Sequence, residues 1–143
     1  PRATLTIVGC CPRGVGGPGI TIRGFVPQTA VPEFFARSTV FCMPSKREPF
    51  GIVYLEAMQA GLPVIASKFG AAPDFIIDGE TGYKVDPSDV NQIAHCIEMI
   101  ISSPEKCRQM GQNGSALVKS YYTWQYAQSK MWERIRDCLR SVP

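Results

Sequence analysis

The passage from Thr39 to Gly61 constrains this chain more than any other. An apolar run, Thr39-Val40-Phe41-Cys42-Met43, stops at Pro44-Ser45, and a loop then carries Glu48-Pro49-Phe50-Gly51. Ile52-Val53-Tyr54-Leu55-Glu56 continues through Ala57-Met58-Gln59-Ala60 to Gly61. This reads as strand, loop, glycine and helix, with a second glycine closing the helix. A helix opening at Gly51 leaves the N–H groups of Phe50, Gly51 and Ile52 without acceptors, and its dipole adds about half a positive charge there. Such an end attracts an anion, and Gly51, lacking a Cβ, lets a bulky phosphate or sugar come close. Glu56 lies ~7.5 Å along the axis from Gly51, while Glu48 stands on the loop before it. Two carboxylates would repel a phosphate they touched, so they must address something neutral. Vicinal hydroxyls fit, because a carboxylate accepts two charge-assisted hydrogen bonds from a diol. A nucleotide sugar offers hydroxyls on both sides of its pyrophosphate, and that is the ligand class the stretch predicts.

The flanking sequence supplies a frame for such a turn. Thr4-Leu5-Thr6-Ile7-Val8 predicts a buried strand, Ile20-Thr21-Ile22-Arg23 a second, Val40 to Met43 a third. Pro63-Val64-Ile65-Ala66 is a short continuous apolar run, as strands buried on both faces tend to be, and Tyr83-Lys84-Val85 is a small fifth strand. Between them, Val31 to Arg37 reads as a short helix with Val31, Phe34 and Phe35 on one face. Gly70 to Ile77 reads as a loop entering one helical turn. After Asp86-Pro87 the chain turns helical. Ile93, Ile97, Ile100 and Ile101 form one stripe, and Ser103-Pro104-Glu105 starts a second helix. Thr123 caps a last helix over about 124–140, with Ala127, Met131, Ile135 and Leu139 expected to face inward and Trp124 and Trp132 to anchor the core. Strands alternating with helices predict an α/β fold, a parallel sheet covered on both faces.

Several other readings fail. Gly14-Val15-Gly16-Gly17-Pro18-Gly19 matches G-x-G-x-x-G, yet it runs into a strand where a dinucleotide fingerprint must open a helix, and no acid follows about twenty residues on. The six cysteines include no C-x-x-C pair, and His95 is the only histidine, so zinc spacing is absent and free thiols are expected. His95 itself reads as structural. A net charge of +3 without a basic block argues against nucleic acid, and no apolar run approaches a membrane span. Lys119, Lys130, Arg134, Arg136 and Arg140 could touch an anionic membrane surface, but a solvated helix face is the simpler reading. With 143 residues, opening at Pro1-Arg2-Ala3, the chain is sized for one domain, 1–143, and reads as a piece of something longer.

Pro44-Ser45-x-x-Glu48-Pro49-Phe50-Gly51 followed by Glu56-Ala57-Met58-x-Ala60-Gly61-x-Pro63-Val64-Ile65-Ala66 resembles the retaining glycosyltransferases of GT-B fold, of the glycogen synthase and sucrose synthase type. The likeness extends to Gly24-Phe25-Val26, to Asp78-Gly79-x-Thr81-Gly82 and to Thr123-Trp124. The resemblance implies the Rossmann-like, donor-binding C-terminal half of a two-domain enzyme of hexosyl-transfer type. It implies that Glu56 holds the ribose hydroxyls and that Glu48 contacts the donor sugar as the catalytic-site acid. Backbone at Phe50, Gly51, Ile52 and Val53 would meet sugar and phosphate, and backbone at Phe25 and Val26 the base. It further implies no cofactor and no metal in this half, a nucleoside-diphosphate sugar as donor, an acceptor sugar, lipid or small molecule bound by the absent N-terminal half, and a cytoplasmic enzyme. The basic pair that neutralises the diphosphate in such enzymes would precede residue 1, so this stretch alone should bind nucleotide weakly and transfer nothing. Where relatives read G-G-x-x-E, this chain has Gly70-Ala71-Ala72-Pro73-Asp74. Rival readings are another GT-B activity, a phosphorylase or nucleotide-sugar epimerase, and a non-catalytic association module.

Overall fold

The computed structural model describes residues 3–11 and 13–140. They fall into two compact units, the first ending at Ala36 and the second beginning at Arg37. The first contains strands β1 (Leu5–Val8) and β2 (Ile20–Gly24), a 3-10 turn (Gln28–Ala30) and helix α1 (Val31–Ala36). β1 and β2 pair in parallel from Leu5–Ile20 to Val8–Gly24, with a shift between Ile7 and Val8. The glycine-rich loop connects these two strands, so it opens no helix. β1 is not the buried strand its composition suggests. Leu5 and Val8 remain 50% and 39% exposed, because the one strand paired with β1 covers its edge and leaves its faces open.

The second unit holds β3 (Phe41–Met43), α2 (Ile52–Gln59), β4 (Val64–Ser67), α3 (Ala72–Phe75), β5 (Gly82–Val85), α4 (Val90–Ile101), α5 (Pro104–Tyr121) and α6 (Trp124–Arg140). β4 is the middle of a three-stranded parallel sheet, paired with β3 from Phe41–Val64 and with β5 from Val64–Gly82. All four residues of β4 are buried, which explains its unbroken apolar run and the buried Ser67 hydroxyl that takes the Phe69 N–H at 3.0 Å. Ile65 and Val85 on the sheet join Cys96 and Ile100 of α4 and Met110 of α5 in one core. Burying a side chain the size of Ile65 contributes about 1.5–3 kcal/mol. Cys42 lies against this core, and burial pushes its thiol up to about 11, with the neighbouring Cys96 adding to the shift.

Two glycines let backbone approach backbone. A Cβ on Gly82 would fall on the Val64 carbonyl, and one on Gly111 of α5 would fall on the Gly61 carbonyl just past α2. A Cβ on Gly114, one turn along α5, would lie 3.5 Å from the Met58 side chain of α2. α5 is thereby seated tightly against α2, whose inner face is Tyr54, Ala57 and Met58. The predicted caps form: Ser103 Oγ accepts from the Lys106 N–H and Thr123 Oγ1 from the Tyr126 N–H.

α6 departs from expectation. Met131, Ile135 and Leu139 are 53%, 39% and 69% exposed, Ala127 is exposed as well, and Trp124 and Trp132 are surface residues rather than core anchors. Helical spacing shows that the helix is two-sided; it carries no information about what lies against the apolar side. His95 is likewise exposed on α4. Among the described residues, no helix is long and apolar enough to cross a membrane.

Candidate functional site

β3 delivers the chain to Pro44-Ser45, and the loop returns it at Gly51, which caps α2 in the left-handed conformation at φ 68°, ψ 24°. A residue with a Cβ is disfavoured there on backbone grounds alone. It would also collide, since a Cβ would lie 2.7 Å from Tyr54 Cδ2 and 2.9 Å from Phe75 Cε2. Tyr54 is the pillar beneath this turn. It is fully buried, its hydroxyl donates to the Met43 carbonyl at 2.9 Å, and Phe41 meets its ring edge-on at 6.1 Å. Burial, with the Glu48 charge second, pushes its phenol up to about 12. The end of β3 and the first turn of α2 are thereby pinned together.

Glu48 does more than stand beside the turn. Its Oε1 accepts the Gly51 N–H at 3.0 Å and the Phe50 N–H at 3.4 Å. Those two amides, expected to be open to an anion, are taken by the protein's own carboxylate, because Glu48 lies two and three residues before them and loops back. The donors without an acceptor inside the helix are then those of Ile52 and Val53, the first two helical residues. Ile52 is 64% exposed, and Glu56, half-buried, follows it by four residues, hence on the same face about 6 Å along the axis. The arrangement presents a fixed carboxylate, a short row of outward N–H groups and a second carboxylate one turn below.

The structure thus brings Glu48, Phe50, Gly51, Ile52, Val53 and Glu56 onto one turn and one helix face. Phe25 and Val26 belong to the first unit, where they follow β2; Phe25 is 86% exposed and Val26 half-buried. Lys46 and Arg47 are exposed on the loop before Glu48. Lys68, at the end of β4, is engaged by Asp86 at 3.0 Å and lies 5.2 Å from the Phe69 ring. The Ser88 N–H and then Lys68 hold the Asp86 carboxyl below its ordinary range. Among the described residues, no group of three or more His, Cys, Asp or Glu side chains could hold a metal ion.

Sequence reasoning gave no role to Tyr54 or Phe75 and marked the loop from Gly70 to Asp74 only as a departure from the family pattern, without its link to Glu48. The Ala71 N–H donates to the Glu48 carbonyl at 3.1 Å, and a Cβ on Gly70, at φ 73°, would collide with the same peptide.

A glycine-capped helix and two carboxylates beyond the carboxyl end of a parallel strand stand where open α/β sheets bind ligands, and likeness to known proteins makes this the C-terminal domain of a GT-B glycosyltransferase. The family model "Glycosyl transferases group 1" matches residues 17–116, and the chain belongs to that family. It is 32% identical over 127 residues to the GDP-mannose-dependent alpha-(1-6)-phosphatidylinositol monomannoside mannosyltransferase of Mycolicibacterium smegmatis, covering 84% of this chain and 33% of that protein. Sucrose-phosphate synthase of Thermosynechococcus elongatus superposes with a TM-score of 0.81 at 28% identity, over 96% of this chain and 39% of that one. HepE of Anabaena, solved with UDP-glucose, gives a TM-score of 0.74 at 25% identity, over 84% of this chain and 33% of its own. The chain therefore spans about a third of the length of these relatives.

Proposed function

We propose that residues 1–143 are the donor-binding half of a retaining glycosyltransferase that moves a hexosyl group from a nucleoside-diphosphate sugar to an acceptor hydroxyl, needing no resident cofactor or metal in this half. The observation that carries this reading is the bonding of Glu48. Its carboxylate is fixed by the Phe50 and Gly51 amides through Oε1, which leaves Oε2 directed by that anchor and ready to accept from a sugar hydroxyl. The Ile52 and Val53 N–H groups, with the helix dipole behind them, suit a phosphate oxygen. Glu56, one turn on, suits the ribose diol. Relatives support the donor class: one similar in sequence is named as GDP-mannose-dependent, and one similar in structure was solved with UDP-glucose.

In this reading the acceptor oxygen attacks the anomeric carbon on the face the diphosphate leaves. The bond from that carbon to the diphosphate oxygen breaks as the new glycosidic bond forms, and the acceptor proton passes to the departing diphosphate. The protein supplies no nucleophile. Its contribution is to orient the sugar through Glu48 and to stabilise the growing negative charge on the diphosphate, part of it through the helix end described here. The acceptor and the remaining positive charge are assigned to the rest of the longer protein.

The test is a titration of the full-length polypeptide with UDP and GDP and with their 2′,3′-dideoxy analogues. Glu56→Ala is expected to weaken the nucleotide with an intact ribose by ~1–3 kcal/mol while leaving the dideoxy analogue nearly unaffected. Equal losses for both ligands would remove the ribose role.

A further inference from the structure

Both ends of the Glu48–Gly51 turn rest on one short segment, Gly70 to Phe75. At the Glu48 end, the Ala71 N–H holds the Glu48 carbonyl at 3.1 Å. A Cβ on Gly70 would stand 2.7 Å from that carbonyl oxygen and 3.5 Å from the Glu48 nitrogen, with φ at +73° in addition. Backbone atoms cannot swing aside as a side chain can, so any residue but glycine there displaces the Glu48 peptide. At the other end, the Phe75 ring lies 2.9 Å from where a Gly51 Cβ would be, closing off that side of the turn.

The segment is itself braced from behind. Tyr122, the residue that caps the end of α5, donates its hydroxyl to the Asp74 carbonyl at 2.9 Å. Its ring meets Phe75 edge-to-face, with centroids 5.6 Å apart and planes at 84°. The order of support runs from Tyr122 to Phe75 and Asp74, then through Ala71 and Gly70 to Glu48. Glu56 stands further along α2, a helix that α5 also holds through Gly111 and Gly114.

We infer that Gly70, Phe75 and Tyr122 are positioning residues that aim the Glu48 carboxylate at the donor sugar without touching the donor. The inference rests on the donor-site reading given above. A loop carboxylate with a free backbone samples several orientations, whereas one tethered at its carbonyl and its side chain has few. Because the brace holds the Glu48 peptide directly, its loss should be felt more by the sugar than by the nucleoside.

The experiment measures dissociation constants of the full-length polypeptide for UDP, UDP-glucose, GDP and GDP-mannose, and takes the ratio of nucleotide sugar to nucleoside diphosphate for the base that binds. Gly70→Ala is expected to shift that ratio about tenfold against the sugar, the order of loss that slight misplacement brings. Tyr122→Phe keeps the ring and loses one hydrogen bond, and is expected to shift the ratio about threefold in the same direction. In both, affinity for the nucleoside diphosphate should stay within about twofold of the parent, since general destabilisation would lower both affinities alike. Glu48→Gln separates the two claims. If it shifts the ratio while Gly70→Ala and Tyr122→Phe do not, the brace is overturned and the donor site stands. If Glu48→Gln leaves the ratio unchanged, the donor-site reading falls and the brace with it. Should Gly70→Ala fail to fold, Tyr122→Phe decides alone, and an unchanged ratio there overturns the proposal.

Discussion

Gly14 and Gly51 each sit in a loop that follows a strand, and both have a left-handed backbone, at φ 85° and 68°. Their surroundings differ completely. A Cβ on Gly14, or on Gly16 beside it, would meet nothing within 4 Å, while one on Gly51 would strike two aromatic rings. The first loop uses glycine for backbone freedom, the second for closeness. A spaced run of glycines is therefore weak evidence of a site, because freedom alone produces it wherever a chain turns between two strands. Crowding around a glycine carries more, since some neighbour has been brought near for a reason.

The contrast is tested most severely at Gly82, crowded by backbone of the central strand. Gly82→Ala should cost more than ~4 kcal/mol, or prevent folding, because β4 and β5 cannot part without losing their pairing. Equilibrium denaturation checks this, and a loss near 1 kcal/mol would show that crowding overstates the constraint. Tyr54, which supplies half of the crowding at Gly51, comes next. Its phenol titrates near 10 when unfolded and at about 12 here, so the neutral form is favoured in the folded state. Stability from this shift is complete below pH 10 and is lost as pH rises from 10 to 12. In Tyr54→Phe that part of the alkaline loss, roughly 1–2 kcal/mol, should vanish. The limb between pH 9 and 11 that belongs to Cys42 should persist. Stability measured against pH in both proteins distinguishes the two limbs. The smallest effect is expected at Gly16, where φ lies outside the left-handed region and no atom is near. Gly16→Ala should change stability by less than ~0.5 kcal/mol, and a larger loss would mean that the open loop is under constraint after all.

Elements fixed by local chemistry were legible. The Ser103 and Thr123 caps, the continuous run of β4 and the limits of α6 each follow from residues within a few positions of one another. The core of α4 was also legible, since Ile100 is buried at the centre of its predicted stripe and Ile93 and Ile97 pack beside it. Exposure was not. β1 and α6 both carry the apolar residues of buried elements and both are largely open, because pattern specifies which side would be covered and not whether anything covers it. At the site, Glu48 and Glu56 stood out by their spacing. The hydrogen bonds that turn Glu48 back on Gly51, and the approach of Gly70 from a different loop, depend on tertiary placement that no window of sequence contains.

The back-bonded carboxylate of Glu48 alters what its removal can mean. Beyond the sugar contact proposed for it, Glu48→Ala frees two amides beside a helix end, creating an anion seat that the parent protein keeps closed. The variant is a different binding surface, not a blank one. Inorganic phosphate or a product diphosphate could settle there and mimic a catalytic defect through inhibition. Glutamine keeps an acceptor oxygen for the same two amides, and so leaves the turn closed while it removes the charge and puts an NH2 donor where the second carboxylate oxygen stood.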